Sequence, residues 1–183
     1  MHYPVEVFTG KIQDYAGSRP SAIAKVQVDG ELMLTELGLE GDEQAEKKIH
    51  GGPDRALCHY PREHYRYWAQ EFPELAERFV APAFGENLST DGLTEQNVYI
   101  GDIFRWGEAL IQVTQPRSPC FKLNYHFAIS DMASQMQNVG KNRLALQRDS
   151  ARQGSDRCAA GAGFPRERCQ RAGGDRHCLA YAV

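Results

Sequence analysis

The stretch Val98-Tyr99-Ile100-Gly101-Asp102-Ile103-Phe104-Arg105-Trp106-Gly107-Glu108-Ala109-Leu110-Ile111-Gln112-Val113-Thr114 decides the fold class. Three β-prone pieces, Val98 to Ile100, Ile103 to Trp106 and Ala109 to Thr114, are separated only by Gly101-Asp102 and Gly107-Glu108. Strands punctuated at this spacing make a meander or the wall of a barrel. The chain then runs into Gln115-Pro116-Arg117-Ser118-Pro119-Cys120-Phe121-Lys122-Leu123. Proline has no N–H to give to a ladder, so Pro116 is expected to end the third strand and leave Cys120 on a loop at its end. Pro116 and Pro119 each fix one φ and restrict the residue before them, so the loop loses little further entropy in holding its thiol in one direction. Arg117 and Lys122 flank that thiol. Cations near sulfur favour the thiolate, the form that attacks electrophiles or binds a soft metal. The competing role for Cys120 is a small core filler, because cysteine is among the most buried residue types.

Working outward, Val5 to Thr9 and Ser21 to Val28 read as strands, and Asp29-Gly30 turns the second into a return strand from Glu31 to Thr35. Glycines in Leu37-Gly38-Leu39-Glu40-Gly41-Asp42 and the charged run from Glu43 to Lys48 predict a loop that reaches toward the site. In His50-Gly51-Gly52-Pro53-Asp54-Arg55-Ala56 the paired glycines can turn backbone N–H groups inward as an anion nest, with His50 and Arg55 adding donors; the same residues also make an ordinary turn. Cys58, His59 and His64 lack the paired spacing of a zinc site. Pro61 opens a helix whose Tyr65, Trp68 and Phe72 form one apolar stripe. A short helix follows from Pro73 to Phe79, and Glu86 and Asn87 either line a pocket or cap a turn. Met132 and Met136 share a face of a helix from Asp131 to Val139.

The chain has 183 residues and a net charge of −3, enough for one domain with a real core and without the basic footprint that nucleic acid requires. No apolar run is long enough to cross a bilayer, and Met1 to Glu6 lack the features of a signal peptide, so a cytoplasmic chain with reduced cysteines is expected. From Asn142 to Val183 the character changes: eight Arg, eight Ala, five Gly and three Cys, with no Lys and no Ile. No apolar period is evident there, and the segment is basic whereas the body is acidic. Such a composition is what GC-rich codons give out of frame, so a reading-frame change near Lys141 and a disordered tail are the expectation. An RNA-binding tail would interleave aromatics, and only Phe164 and Tyr181 occur.

Taken in order, Gly41-Asp42, His50 through Ala56, Phe84-Gly85-Glu86-Asn87, Gly101-Asp102 and Gln115 through Cys120 with Lys122 resemble the MOSC domain family, named for the C-terminal part of molybdenum cofactor sulfurase. The resemblance runs across nearly all of residues 1–141. It implies a mainly β, barrel-like fold with a few short helices, residues 1–141 being a MOSC domain incomplete at its C-terminal end and 142–183 an irregular tail. It further implies a pocket for the molybdenum cofactor (molybdopterin). Cys120 would be the catalytic residue and thiolate ligand to the metal, and His50, Gly51, Gly52, Arg55, Asn87, Arg117 and Lys122 would bind the cofactor.

The implied reaction is reductive cleavage of an N–O bond in N-hydroxylated bases such as 6-N-hydroxylaminopurine. Electrons would come from a separate flavin-type reductase, since no flavin fingerprint or iron–sulfur spacing occurs in this sequence. The family continues past the last helix with a Gly-Trp/Phe-Tyr segment, barrel-closing strands and a small helical domain, whose place residues 142–183 occupy. An inactive truncated product is therefore one alternative. A sulfur carrier with a persulfide on Cys120 is the other.

Overall fold

The computed structural model describes residues 2–15, 19–149, 157–159 and 163–165. Seven strands form the main sheet: β1 (Val5–Thr9), β2 (Val26–Gln27), β3 (Leu57–Pro61), β4 (Leu88–Thr90), β5 (Ile103–Trp106), β6 (Ala109–Arg117) and β7 (Arg143–Arg148). Their order is β5-β6-β7-β3-β4-β1-β2, antiparallel at every step except β3 beside β4. The sheet curls into half a barrel. Among the described residues four short α-helices accompany it, α1 (Lys47–His50), α2 (Glu63–Glu71), α3 (Lys122–Phe127) and α4 (Met132–Asn138), with 3-10 turns at Pro53–Arg55 and Pro73–Arg78. The architecture is mainly β, as the meander signals imply. No helix among the described residues is long and apolar enough to cross a membrane.

Strand side chains alternate between faces, and here both faces are covered. Leu57 joins Val7, Leu88, Ile111 and Leu146 in the cluster inside the curl, while Tyr60 joins Trp68, Phe84, Phe127 and Met136 in an aromatic cluster on the opposite side. β3 is therefore buried at all five positions. The α2 stripe packs as its spacing predicts: Tyr65 and Trp68 are buried, Phe72 is partly so, and the Trp68 Nε1–H donates to the Tyr60 hydroxyl at 2.7 Å. Met132 and Met136 are both fully buried on one face of α4.

Three local expectations are corrected. Val98 to Ile100 do not form a strand: Tyr99 makes only an isolated bridge and Ile100 enters a turn in which the Asp102 carboxylate accepts from the Tyr99 N–H at 3.0 Å while the Asp102 N–H donates to the Tyr99 carbonyl. Of Ser21 to Val28, only Val26–Gln27 is main-sheet strand, and Lys25 is drawn into a buried ion pair with Asp42. β6 does not stop at Pro116: it bulges between Val113 and Gln115 and continues to Arg117, with Pro116 opposite Leu144. The strand is tolerant there because β5 accompanies it only to Gln112 in the ladder, so the missing N–H falls on an unpaired side. Cys120 lies on a loop past the strand end, and after Phe121 α3 begins, with Leu123 and Phe127 buried one turn apart.

The described sheet continues past Lys141. β7 lies between β6 and β3, its Leu144 and Leu146 enter the core, and the Asp149 N–H donates to the Leu110 carbonyl at 2.8 Å. The alternation Arg143-Leu144-Ala145-Leu146-Gln147 suits a strand with one buried face. Beyond Asp149, Cys158 pairs with Leu32 and Phe164 with Tyr3, and the rest of the expected disordered tail lies outside the described residues.

Ending the chain at Lys141 removes an interior strand and leaves β6 and β3 without a shared partner. A fragment of residues 1–141 is expected to lose its cooperative thermal transition by circular dichroism. A sharp transition close to that of the full chain would show β7 to be dispensable.

Candidate functional site

On the aromatic-cluster side of β3, β6 and β7 an open cleft of about 580 Å³ is walled by Cys58, Arg117, Cys120, Lys122, Arg143, His50 and Asn87, with Ser21 to Ile23, Lys25, Asp42 to Glu46 and Gly85. Asp42 to Glu46 belong to the glycine-punctuated and charged segments, so the loop reaches the site as its composition implies. Cys120 is half-buried on the four-residue stretch between β6 and α3. Cys58, on β3, is buried in the lining of the same cleft.

Of the residues expected at the site, Cys120, His50, Asn87, Arg117 and Lys122 are in its walls, whereas Gly51, Gly52 and Arg55 are not. Arg55 donates instead to the Ile49 carbonyl and to Gln115 Oε1 at 3.3 Å, which pins the turn to β6. Gly51 has a packing reason, since a Cβ there would collide with the Gln44 side chain and the Lys47 backbone. Asn87 has its side-chain groups engaged by the protein: Oδ1 accepts from the Cys58 N–H at 3.1 Å, and Nδ2 donates to the Phe8 carbonyl and to Asp42 Oδ2 at 3.1 and 2.8 Å. It braces the wall that carries Cys58. His59 and His64 turn elsewhere, to Thr90 and Glu95.

Charge pairing within the cleft is uneven. Asp42 takes Lys25, Glu43 takes Lys11, and Glu46 lies 3.1 Å from Lys122 and 3.5 Å from His50. Arg117 and Arg143 have no carboxylate within ion-pair distance among the described residues. They donate to backbone: Arg117 to the His50 carbonyl at 2.5 Å, Arg143 to the Phe84 and Ser118 carbonyls at 3.1 and 3.3 Å. The Nε of each is buried with no hydrogen-bond partner. Burial, and then the charges of Arg117 and Arg143, push the His50 imidazole down to about 4, so it is neutral at pH 7. Burial also lowers Arg117, and Cys58 opposes that shift.

A half-exposed soft sulfur beside two uncompensated guanidinium groups fits an anionic, thiolate-ligated group. Among the described residues no group of three or more His, Cys, Asp or Glu could hold a metal ion by itself, so a metal here would need ligands of its own besides Cys120. Cys58, Lys25, Glu46 and Arg143 were not anticipated. Cys58 and Arg143 each stand on a strand next to core-facing neighbours, and only the period-two alternation places them on the cleft side.

A profile of the MOSC domain matches residues 46–163, and the chain belongs to this family. YiiM of Escherichia coli strain K12 is 84% identical over 141 residues, which is 77% of this chain and 63% of that protein. A protein named Reductase from Gibberella moniliformis is 41% identical over 126 residues, covering 67% of this chain and 22% of that one. The crystal structure of E. coli YiiM is similar with a TM-score of 0.77 at 59% identity, covering 98% of this chain and 74% of that one. The chain therefore spans less than two thirds of the curated YiiM sequence, 63% of it.

Behind the cleft Glu86 is fully buried, accepting from the Tyr65 hydroxyl and from the Phe84 N–H at 3.1 Å. Burial outweighs these bonds and lifts its carboxyl to about 7. Because the folded value lies above the unfolded one, the stability this group adds is full below pH 4.5 and is lost as pH rises to about 7. In urea denaturation, the stability of the parent relative to Glu86→Gln is expected to fall by roughly 2 kcal/mol across that window. A difference that does not vary with pH would contradict the burial of an ionisable Glu86.

Proposed function

We propose that this chain is the cofactor-holding part of a cytoplasmic molybdenum-dependent oxidoreductase that reduces N-hydroxylated bases, with Cys120 as the thiolate ligand to the metal. The observation that carries the reading is an accessible soft sulfur beside two guanidinium groups without carboxylate partners. A thiolate suits a thiophilic metal, and Arg117 and Arg143 suit the phosphate of a pterin cofactor, with their buried Nε–H groups left as donors. When bound, the molybdenum cofactor supplies the two-electron reduction that cleaves an N–O bond.

The protein's own groups bind, orient and manage protons. Arg117 keeps positive charge beside the thiol and, through the His50 carbonyl, fixes the end of α1. Asn87 holds the opposite wall. Neutral His50, its Nε2 3.5 Å from Glu46 and in the same cleft as Lys122 and Cys120, is a group that can hold or pass a proton there. The name of the Gibberella relative supports reductase chemistry. A separate flavin-type reductase is the electron donor that this reading calls for.

The purified full chain, given a chemical reductant, is expected to convert 6-N-hydroxylaminopurine to adenine, and Cys120→Ser to lose at least about a hundredfold in rate. Equal rates would contradict the assignment. A persulfide trapped on Cys120 in a parent protein that reduces nothing would favour the sulfur-carrier reading.

A further inference from the structure

Two of the cations lining the cleft, Lys25 and Lys122, meet carboxylates, and the two pairs differ in depth. Lys25 and Asp42 are both buried, and Asp42 is further held by the Gly10 N–H and by Asn87. Lys122 has a side chain only 10% exposed and donates to the Pro20 carbonyl at 3.1 Å, but the side chain of its partner Glu46 is 40% exposed. Glu46 Oε2 lies 3.1 Å from Lys122 Nζ and also makes the 3.5 Å approach to His50 Nε2. The same residue starts α1, its carbonyl accepting from the Ile49 and His50 N–H groups at 3.0 and 2.8 Å. A four-residue helix is not stable by itself, so α1 relies on its ties to the rest of the fold. Its far end is tied by Arg117 to the His50 carbonyl and by Arg55 to the Ile49 carbonyl. Its near end is tied to α3 by Glu46 on Lys122.

We propose that Glu46 is a resident counter-anion for Lys122, which an anionic ligand of the cleft displaces. Glu46 thereby sets how tightly the cleft takes anions, and α1 loosens at its near end when one binds. The proposal rests on the reading of the cleft as a site for an anionic cofactor group, and it adds which contact gives way. A half-exposed ion pair is weak, so moving the Glu46 carboxylate into water costs little. A phosphate brings more charge and three acceptor oxygens to an ammonium that keeps its bond to the Pro20 carbonyl. Asp42 does not yield in this way, because Lys25, Asn87 and the Gly10 N–H all hold it in the interior. Arg117 and Arg143 have no carboxylate to give up among the described residues, so the exchange falls on Lys122. Arg117 meanwhile keeps the far end of α1 in place, which confines the movement to the Glu46 side chain and the turn that its carbonyl closes.

The test titrates the full chain with inorganic phosphate at low ionic strength by calorimetry and follows amide hydrogen exchange in the same samples. Glu46→Gln is expected to bind phosphate about fivefold more tightly than the parent. Glu43→Gln removes a cleft carboxylate that is paired with Lys11 instead, and is expected to stay within about twofold of the parent. In the parent, saturating phosphate is expected to speed exchange at the Ile49 and His50 amides about fivefold, and Glu46→Gln to show the fast exchange without phosphate. A ligand that merely stiffened the cleft would slow those amides. The proposal is overturned, with the anion-site reading intact, if phosphate binds the parent and Glu46→Gln equally, or if the two glutamine variants tighten it to the same extent. If phosphate binds no form of the chain, the proposal and that reading fall together. Slower exchange at Ile49 and His50 in the phosphate-bound parent also overturns it, and this arm decides the matter even where a variant fails to fold.

Discussion

The cleft depends on one knot of hydrogen bonds at Asn87. Its side-chain carbonyl holds the Cys58 N–H, its amide reaches both the Phe8 carbonyl and the Asp42 carboxylate, and its backbone bonds to Cys58 and Phe8. Asp42 in turn takes the Gly10 N–H at 2.7 Å and the Lys25 ammonium, in a pair whose side chains are 3% and 6% exposed. Strands β1 and β3, the segment before β2 and the loop that forms one wall are thereby fixed to a single residue. A buried charge pair of this kind is stable only while its remaining hydrogen-bonding groups are satisfied, and here Asn87 and Gly10 satisfy them.

With that wall fixed, the opposite side can carry charge that the protein does not neutralise internally. Arg117 and Arg143 are held by backbone carbonyls, which orient a guanidinium without cancelling it. Burial, and then these two charges, keep the neighbouring imidazole of His50 neutral. Leaving two cations half-satisfied beside a thiol is costly in an apolar setting, and the cost is offset when an anion binds. The positive charge and the thiol thus form one feature, set where β6 ends and α3 begins.

Much of this was legible in sequence where the determinants are local. Pro116, Pro119 and the flanking Arg117 and Lys122 announce a held thiol within eight residues, and the Tyr65-Trp68-Phe72 stripe announces the aromatic cluster. The Asn87–Asp42 contact was not legible, because it joins residues 45 apart whose side chains have several equally good local partners. Arg55 misled for the converse reason: its place beside a Gly-Gly turn suits an anion nest, but Gln115 and the Ile49 carbonyl capture it. β7 was hidden by averaging, since the composition of residues 142–183 obscures a six-residue alternation at its start. Cys58, read against a zinc pattern, gave no signal because the cleft it lines is assembled from residues distant in sequence.

Molybdenum content measured by elemental analysis on the full chain, in the parent and in Cys120→Ser, tests the central claim most directly. The account predicts metal approaching one equivalent in the parent when cofactor is supplied, and near zero in the variant, with the circular dichroism of the two unchanged. Molybdenum retained equally by a folded Cys120→Ser protein would contradict it.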